Sequence, residues 1–203
     1  MSTAHFQKLY EQADDPWQVR QRWYEQRKRS LLLASLPAPR YRHIFEPACG
    51  NGELTAALSE RADRITASDV SPAAVALTRR RITTVNARQV ATVEVQCQHL
   101  PGEWPSEQFD LIVISEMAYY LPPADLPLLL ERCLRTLAPG GAVVLCHWRR
   151  PFADRLLDTD AIHAAFNASP ALHRIVNHQE ADFLLDVWST NPHSVAQHEG
   201  ISP

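Results

Sequence analysis

Between Phe45 and Thr55 the chain reads Phe-Glu-Pro-Ala-Cys-Gly-Asn-Gly-Glu-Leu-Thr, an apolar stretch that stops at a cluster of small residues and restarts as a helix opening at Glu53. Few folds accommodate that order. It specifies a buried strand, a sharp turn and a helix. Glycines at 50 and 52 let the backbone turn tightly and approach a ligand, while the helix adds the positive end of its dipole. The stretch is either a plain strand-to-helix turn or a loop for a nucleotide-type cofactor. A dinucleotide fingerprint requires small residues at Gly-x-Gly-x-x-Gly. Counting from Ala48 ends on Glu53 and counting from Gly50 ends on Thr55, so neither register completes it.

The 203 residues suit one domain with a well-buried core. A net charge of −3 argues against a broad nucleic-acid footprint, despite the basic run from Arg20 to Arg29. Cys49, Cys97, Cys133 and Cys146 lack Cys-x-x-Cys spacing and read as buried free thiols of a reducing compartment. No apolar run approaches the ~20 residues that span a bilayer, and the N-terminus has no apolar leader segment. These features point to a soluble, cytoplasmic protein. No carboxylate or histidine cluster has metal-ligand spacing, so metal-independent chemistry is expected.

Residues 1–36 carry no strand pattern, and Asp14-Asp15-Pro16-Trp17 reads as the start of one helix with proline near its first position. Its aromatic side would pack on the domain, with the basic side either solvated or serving as a lid. From Arg42 the pattern alternates: strand His43 to Glu46, helix Leu54 to Arg61, strand Arg64 to Asp69, helix Pro72 to Thr83. This predicts βαβ units and a parallel sheet. Strands Ala91 to Cys97 and Phe109 to Ser115 read as central, followed by a helix Leu126 to Leu137, a Pro139-Gly140-Gly141 turn and a strand Ala142 to Cys146. A helix Asp160 to Asn167 and a hairpin of Leu172 to Asn177 with Phe183 to Ser189 complete the pattern. Residues 1–41 thus form a helical extension or lid, 42–190 a catalytic domain, and 191–203 a frayed polar tail. Asp69, about twenty residues beyond the glycine turn, suits hydrogen bonds from ribose hydroxyls, or else capping; Ser71 before Pro72 makes the better cap.

Glu46-x-Ala-Cys-Gly-x-Gly, the acidic tip at Asp69, Phe109-Asp110-Leu111-Ile112-Val113 and Leu137-Ala-Pro-Gly-Gly141 together resemble, in their usual order, the motifs of class I S-adenosylmethionine (SAM) methyltransferases. Asp15-Pro16-Trp17, Trp23-Tyr24-Glu25-x-Arg27-Lys28, Ser115-Glu116-x-x-Tyr119-Tyr120-Leu121 and His147-Trp148-Arg149 resemble, more narrowly, the nodulation N-methyltransferase (NodS-like) group. The resemblance implies a doubly wound α/β fold whose mostly parallel seven-stranded sheet has the order 3-2-1-4-5-7-6 and helices on both faces. It also implies SAM as methyl donor, S-adenosylhomocysteine (SAH) as product, and a small-molecule acceptor. The amine of a deacetylated glucosamine oligosaccharide is the acceptor associated with this group. A SAM-dependent O-methyltransferase, a non-catalytic SAM-binding module and a nicotinamide oxidoreductase are the competing readings.

The donor site implied by the resemblance comprises Glu46, Ala48, Cys49, Gly50, Gly52, Asp69, Val70, His99, Leu100 and Ser115, with Tyr24 and Arg27 from the N-terminal segment. Two positions depart from the family pattern. Ala48 replaces a glycine, which is harmless if its φ is negative, and His99 stands where an aspartate is usual, with a neutral imidazole nitrogen able to accept the same hydrogen bond. Arg27 or Arg22 would pair with the donor's carboxylate in planar, bidentate fashion. Glu116 is the first candidate base for an attacking amine and His147 the second, with Tyr119 and Tyr120 offering aromatic faces and hydroxyls. Trp148, Glu180 and Asp182 are candidate acceptor contacts.

Overall fold

The computed structural model describes residues 3–85 and 91–201. Its seven strands are β1 (Tyr41–Pro47), β2 (Ala62–Asp69), β3 (Thr92–Cys97), β4 (Phe109–Ser115), β5 (Leu137–Trp148), β6 (His173–Gln179) and β7 (Phe183–Ser189), ordered β3-β2-β1-β4-β5-β7-β6. Strands β1 to β5 pair in parallel, while β7 runs antiparallel to both β5 and β6. The expected order holds. β3 is an edge strand rather than a central one, as its half-exposed pattern also indicates.

Alternation along the central strands builds two cores. Ile44, Leu111, Val113 and Val144 face one side with Leu32, Leu58 and Val75. Phe45, Ile112, Ile114, Val143 and Leu145 face the other with Leu129, Ile162 and Phe166. The first layer is covered by α2 (Trp23–Ser35), α3 (Glu53–Ser59) and α4 (Pro72–Val85), the second by α5 (Leu126–Thr136) and α6 (Thr159–Asn167). The strand order reverses between β1 and β4, so a crevice opens beyond their carboxyl ends.

Four further expectations change. The N-terminal segment holds two helices: α1 (Thr3–Gln12) precedes α2. Asp15 does not start a helix; its carboxylate accepts from the Val19 and Arg20 amides and closes a turn in which Gln18 adopts φ +57°. That left-handed residue prevents one continuous helix. β5 extends from Leu137 to Trp148, because Pro139-Gly140-Gly141 is absorbed as an irregularity in the β4–β5 register between Phe109 and Leu111. In the tail, Ser194 and Gln197 form a capping box on α7 (Val195–His198), whereas residues 202–203 lie outside the described region. Cys97 is exposed, unlike the other three cysteines.

Candidate active site

A cavity of about 1080 Å³ occupies the crevice beyond β1, β2 and β4 and extends under α1 and α2. Its floor is the turn between β1 and α3. The Cys49 amide donates to the Ser68 carbonyl, tying the turn to β2. Gly50 adopts φ +58°, and a Cβ there would lie 2.6 Å from the Tyr10 hydroxyl; at Gly52, φ +81°, it would lie 2.9 Å from Thr78 Cα. Both glycines are therefore required by conformation and by space. Ala48 also has a positive φ, +56°, so the condition for a harmless replacement is not met and alanine sits in a strained left-handed conformation. Glu116 shares that strain at φ +54°, a clustering typical of ligand-binding turns.

Asp69 is buried, and its two oxygens accept from the Gly50 amide at 3.0 Å and the Ser71 amide at 2.9 Å. Burial raises its pKa and the backbone donors pull it back. Gln7 of α1 accepts from the Ser71 hydroxyl and the Ala73 amide, completing the start of α4. Tyr10 lies buried over Gly50, and Phe6 packs edge-on against Tyr120 with ring centroids 5.1 Å apart. Helix α1 thus roofs the glycine turn, a role unassigned from sequence. Val70, His99, Leu100 and Ser115 line the same cavity, with Thr3 at 3.4 Å from the His99 ring nitrogens.

Glu46, at the end of β1, is buried with Oε2 unpartnered, and burial pushes its pKa up to about 8. The Tyr24 hydroxyl and Gln98 Oε1 are likewise buried without partners, and all three residues line the cavity. Buried polar atoms without partners are uncommon in native proteins, and three that face one cavity can accept hydrogen bonds from a molecule bound there. An acceptor suited to an ammonium, together with a carboxylate at the tip of β2, fits the ammonium and the ribose of SAM.

Lys28 of α2 is only 6% exposed. Its ammonium lies 3.0 Å from Glu25 Oε2, bonds to Glu116 Oε1 and sits 5.0 Å from the centre of the Tyr24 ring. Burial disfavours the charge, but Glu116 and Glu25 outweigh it and raise the lysine pKa. Glu116 Oε2 accepts from the Tyr119 hydroxyl and from the Trp148 amide at 2.9 Å. Both oxygens of the candidate base are thus engaged. Lys28 went unassigned in the sequence because nothing in its basic run distinguishes it from its neighbours.

Several candidates lie elsewhere. Arg27 makes a bidentate pair with Glu180, at 2.8 and 2.7 Å, outside the cavity lining. Neither is free to hold a donor carboxylate or an acceptor, and the pair lowers the Glu180 pKa to about 2. His147 is fully buried and absent from the cavity wall; its Nε2 accepts from the Ala118 amide, which removes it as a base. Tyr119 is buried with its hydroxyl on Glu116, leaving Tyr120 as the more accessible aromatic face. Asp182 and Trp148 do line the cavity, although Asp182 is paired with Arg150.

A family model described as a methyltransferase domain matches residues 44–141. Nodulation protein S of Rhizobium tropici is 35% identical over 134 residues, covering 65% of this chain and 54% of that protein. The chain spans little more than half the length of that relative. A Pseudomonas syringae protein of known structure, assigned as a methyltransferase, is 48% identical, with 83% of this chain and 99% of that one covered at a TM-score of 0.70. The N-methyltransferase NodS of Bradyrhizobium japonicum WM9, solved with SAH, is 24% identical, with 93% and 99% covered at a TM-score of 0.77.

Proposed function

This chain belongs to the SAM-dependent methyltransferases, and we propose that it falls in the NodS-like group and methylates the amine of a small acceptor, an amino sugar such as a deacetylated glucosamine oligosaccharide. The observation that carries the amine reading is the Glu25–Glu116 carboxylate pair, which with Tyr24 already surrounds one ammonium in the cavity wall. The resemblance to nodulation protein S supports the same acceptor class.

Bound SAM supplies a sulfonium-activated methyl group. Glu46 would hold the ammonium of its methionine portion and Asp69 the ribose hydroxyls. His99 and Leu100 flank the space for the base. The protein's contribution is positioning, which supplies ~7–11 kcal/mol at most for fully oriented reactants. An amine attacks only as the neutral species, so it gives its proton to solvent before the new N–C bond forms and the C–S bond breaks with its electron pair left on the sulfur of SAH. Glu116, paired with Lys28, is suited to attracting and orienting a cationic amine. Helices α1 and α2 act as a lid, with Phe6, Tyr10 and Tyr24 excluding water.

A labelled-methyl assay across amino sugars, simple amines and phenols, with N-acetylated glucosamine oligomers as controls, tests this reading. Label is expected on free amines only. Equal labelling of acetylated oligomers, or preferential labelling of phenols, overturns the amine assignment.

A further inference from the structure

Behind the cavity, β5, α6 and β7 contribute one chain of buried polar side chains, which the exposed Asn177 of β6 meets at its outer end. Leu145 and Asp186 stand opposite each other in the β5–β7 ladder, so the period-2 alternation of strands puts His147 and Asp186 on one face. His163 of α6 bridges them: His147 Nδ1 lies 3.1 Å from His163 Nε2, and His163 Nδ1 lies 2.8 Å from Asp186 Oδ2. Asn177 of β6 donates to Asp186 Oδ1 at 2.7 Å. At the other end, the Ala118 amide donates to His147 Nε2 at 3.2 Å. All three of His147, His163 and Asp186 are at least 97% buried.

An amide can only donate, so His147 Nε2 carries no proton and the neutral ring is protonated on Nδ1. That hydrogen points at His163 Nε2, which must also be bare, so His163 donates from Nδ1 to Asp186. The chain has one direction and one proton per ring. A further proton on either imidazole would set two donors against each other, at Ala118 or between the rings. The charged or titratable groups facing the rings are Lys28 from α2, Tyr119 from the 3-10 turn Ala118–Tyr120, Asp186 from β7 and, through Asp186, Arg174 from β6. Burial, His163 and Lys28 hold the His147 pKa well below the ordinary imidazole value, as the neutral chain requires.

We propose that His147, His163 and Asp186 form a positioning relay that fixes the Glu116–Tyr120 segment through the Ala118 amide, so that protonating the relay loosens acceptor binding while leaving donor binding intact. The acceptor part rests on the amine reading above. Ala118 opens the turn that carries Tyr119 and Tyr120, while the neighbour of His147 in β5, Trp148, donates its amide to Glu116. The donor-side contacts, from Glu46, Gly50 and Asp69, belong to β1, β2 and the turn between β1 and α3, none of which touches the relay.

The test begins with the unmodified protein by ¹⁵N NMR. His147 Nε2 should be bare at neutral pH, and Ala118 amide exchange, corrected for its intrinsic pH dependence, should rise about tenfold as the ring acquires a second proton, the scale of one hydrogen bond. The Cys49 amide should keep its protection. A proton on His147 Nε2 at neutral pH, or Ala118 protection that follows Cys49, overturns the relay. With a deacetylated chitooligosaccharide as acceptor, His163→Leu should raise KM about fivefold with SAH affinity within about twofold, and His163→Gln, which can both accept and donate, should restore it. Equal loss of acceptor and SAH binding, or no recovery with Gln, overturns the positioning role. If the unmodified protein fails to methylate this probe, the amine reading fails and the NMR result alone decides the relay.

Discussion

The Lys28 ammonium bonds to the Glu116 carboxylate across 88 residues of sequence, joining α2 to the tip of β4. Because Tyr119 and the Trp148 amide meet the other oxygen of Glu116, this one side chain gathers three segments of the cavity wall. An ion pair of this kind matters chiefly through what its rupture leaves behind: a buried charge without a partner costs more than the pair itself contributes.

Lys28→Met therefore should destabilise the protein by about 3 kcal/mol, the low end for breaking a buried pair, since both carboxylates retain some solvent access. Glu116→Gln should cost less, because its carboxamide oxygen still accepts hydrogen bonds and Lys28 keeps Glu25. Urea unfolding of the two variants measures the order. The reverse order would show that Lys28 does not hold the wall.

Asp69→Ala should weaken SAH binding about tenfold to a hundredfold, the range for hydrogen bonds to a charged group. The loss has a second source in the turn itself, which Asp69 braces through the Gly50 amide. Calorimetric titration reads the change, and an unaltered affinity would remove Asp69 from the donor site.

Glu46 has a folded pKa of about 8, above its unfolded value. The folded state then binds more protons between those two values, so this group's contribution falls as pH rises from about 4.5 to about 8. A bound ammonium reverses the preference and expels the proton. SAH affinity should accordingly increase with pH up to about 8, with proton release visible as a dependence of binding heat on buffer. Glu46→Gln should abolish the release; its persistence in that variant would place the proton elsewhere.

Ala48→Gly should stabilise the fold by about 1 kcal/mol, because relief of the left-handed strain exceeds the added freedom of glycine in the unfolded chain. Gly50→Ala should do the opposite and expel the Tyr10 hydroxyl, and Tyr10→Phe in that background should recover only the steric part. Melting temperatures distinguish these cases. A lower value for Ala48→Gly would mean that the alanine methyl packs favourably enough to outweigh its backbone conformation.

The individual strands and the Phe45–Thr55 turn were legible in the sequence because they depend on local regularities: period-2 alternation, helix punctuation and the spacing of two glycines. The strand order, and the placing of Ser115 and Trp148 at one crevice with Asp69, came from the resemblance to a methyltransferase family, since pattern alone put the edge strand β3 at the centre. The local regularities carried no information on which charges pair across distant segments. Arg27 and Lys28 are neighbours in a basic run, yet Arg27 turns outward to Glu180 and Lys28 inward to Glu116. His147 and Glu116 both stand at strand ends, yet the buried amide of Ala118 claims one ring and the cavity receives the other side chain. The sequence by itself determined the individual strands and the glycine turn, whose regularities act over a few residues. The wall around Glu116 was decided only by the tertiary structure, since the partner of each charge and the burial of each ring depend on how α1, α2 and α6 pack against the finished sheet.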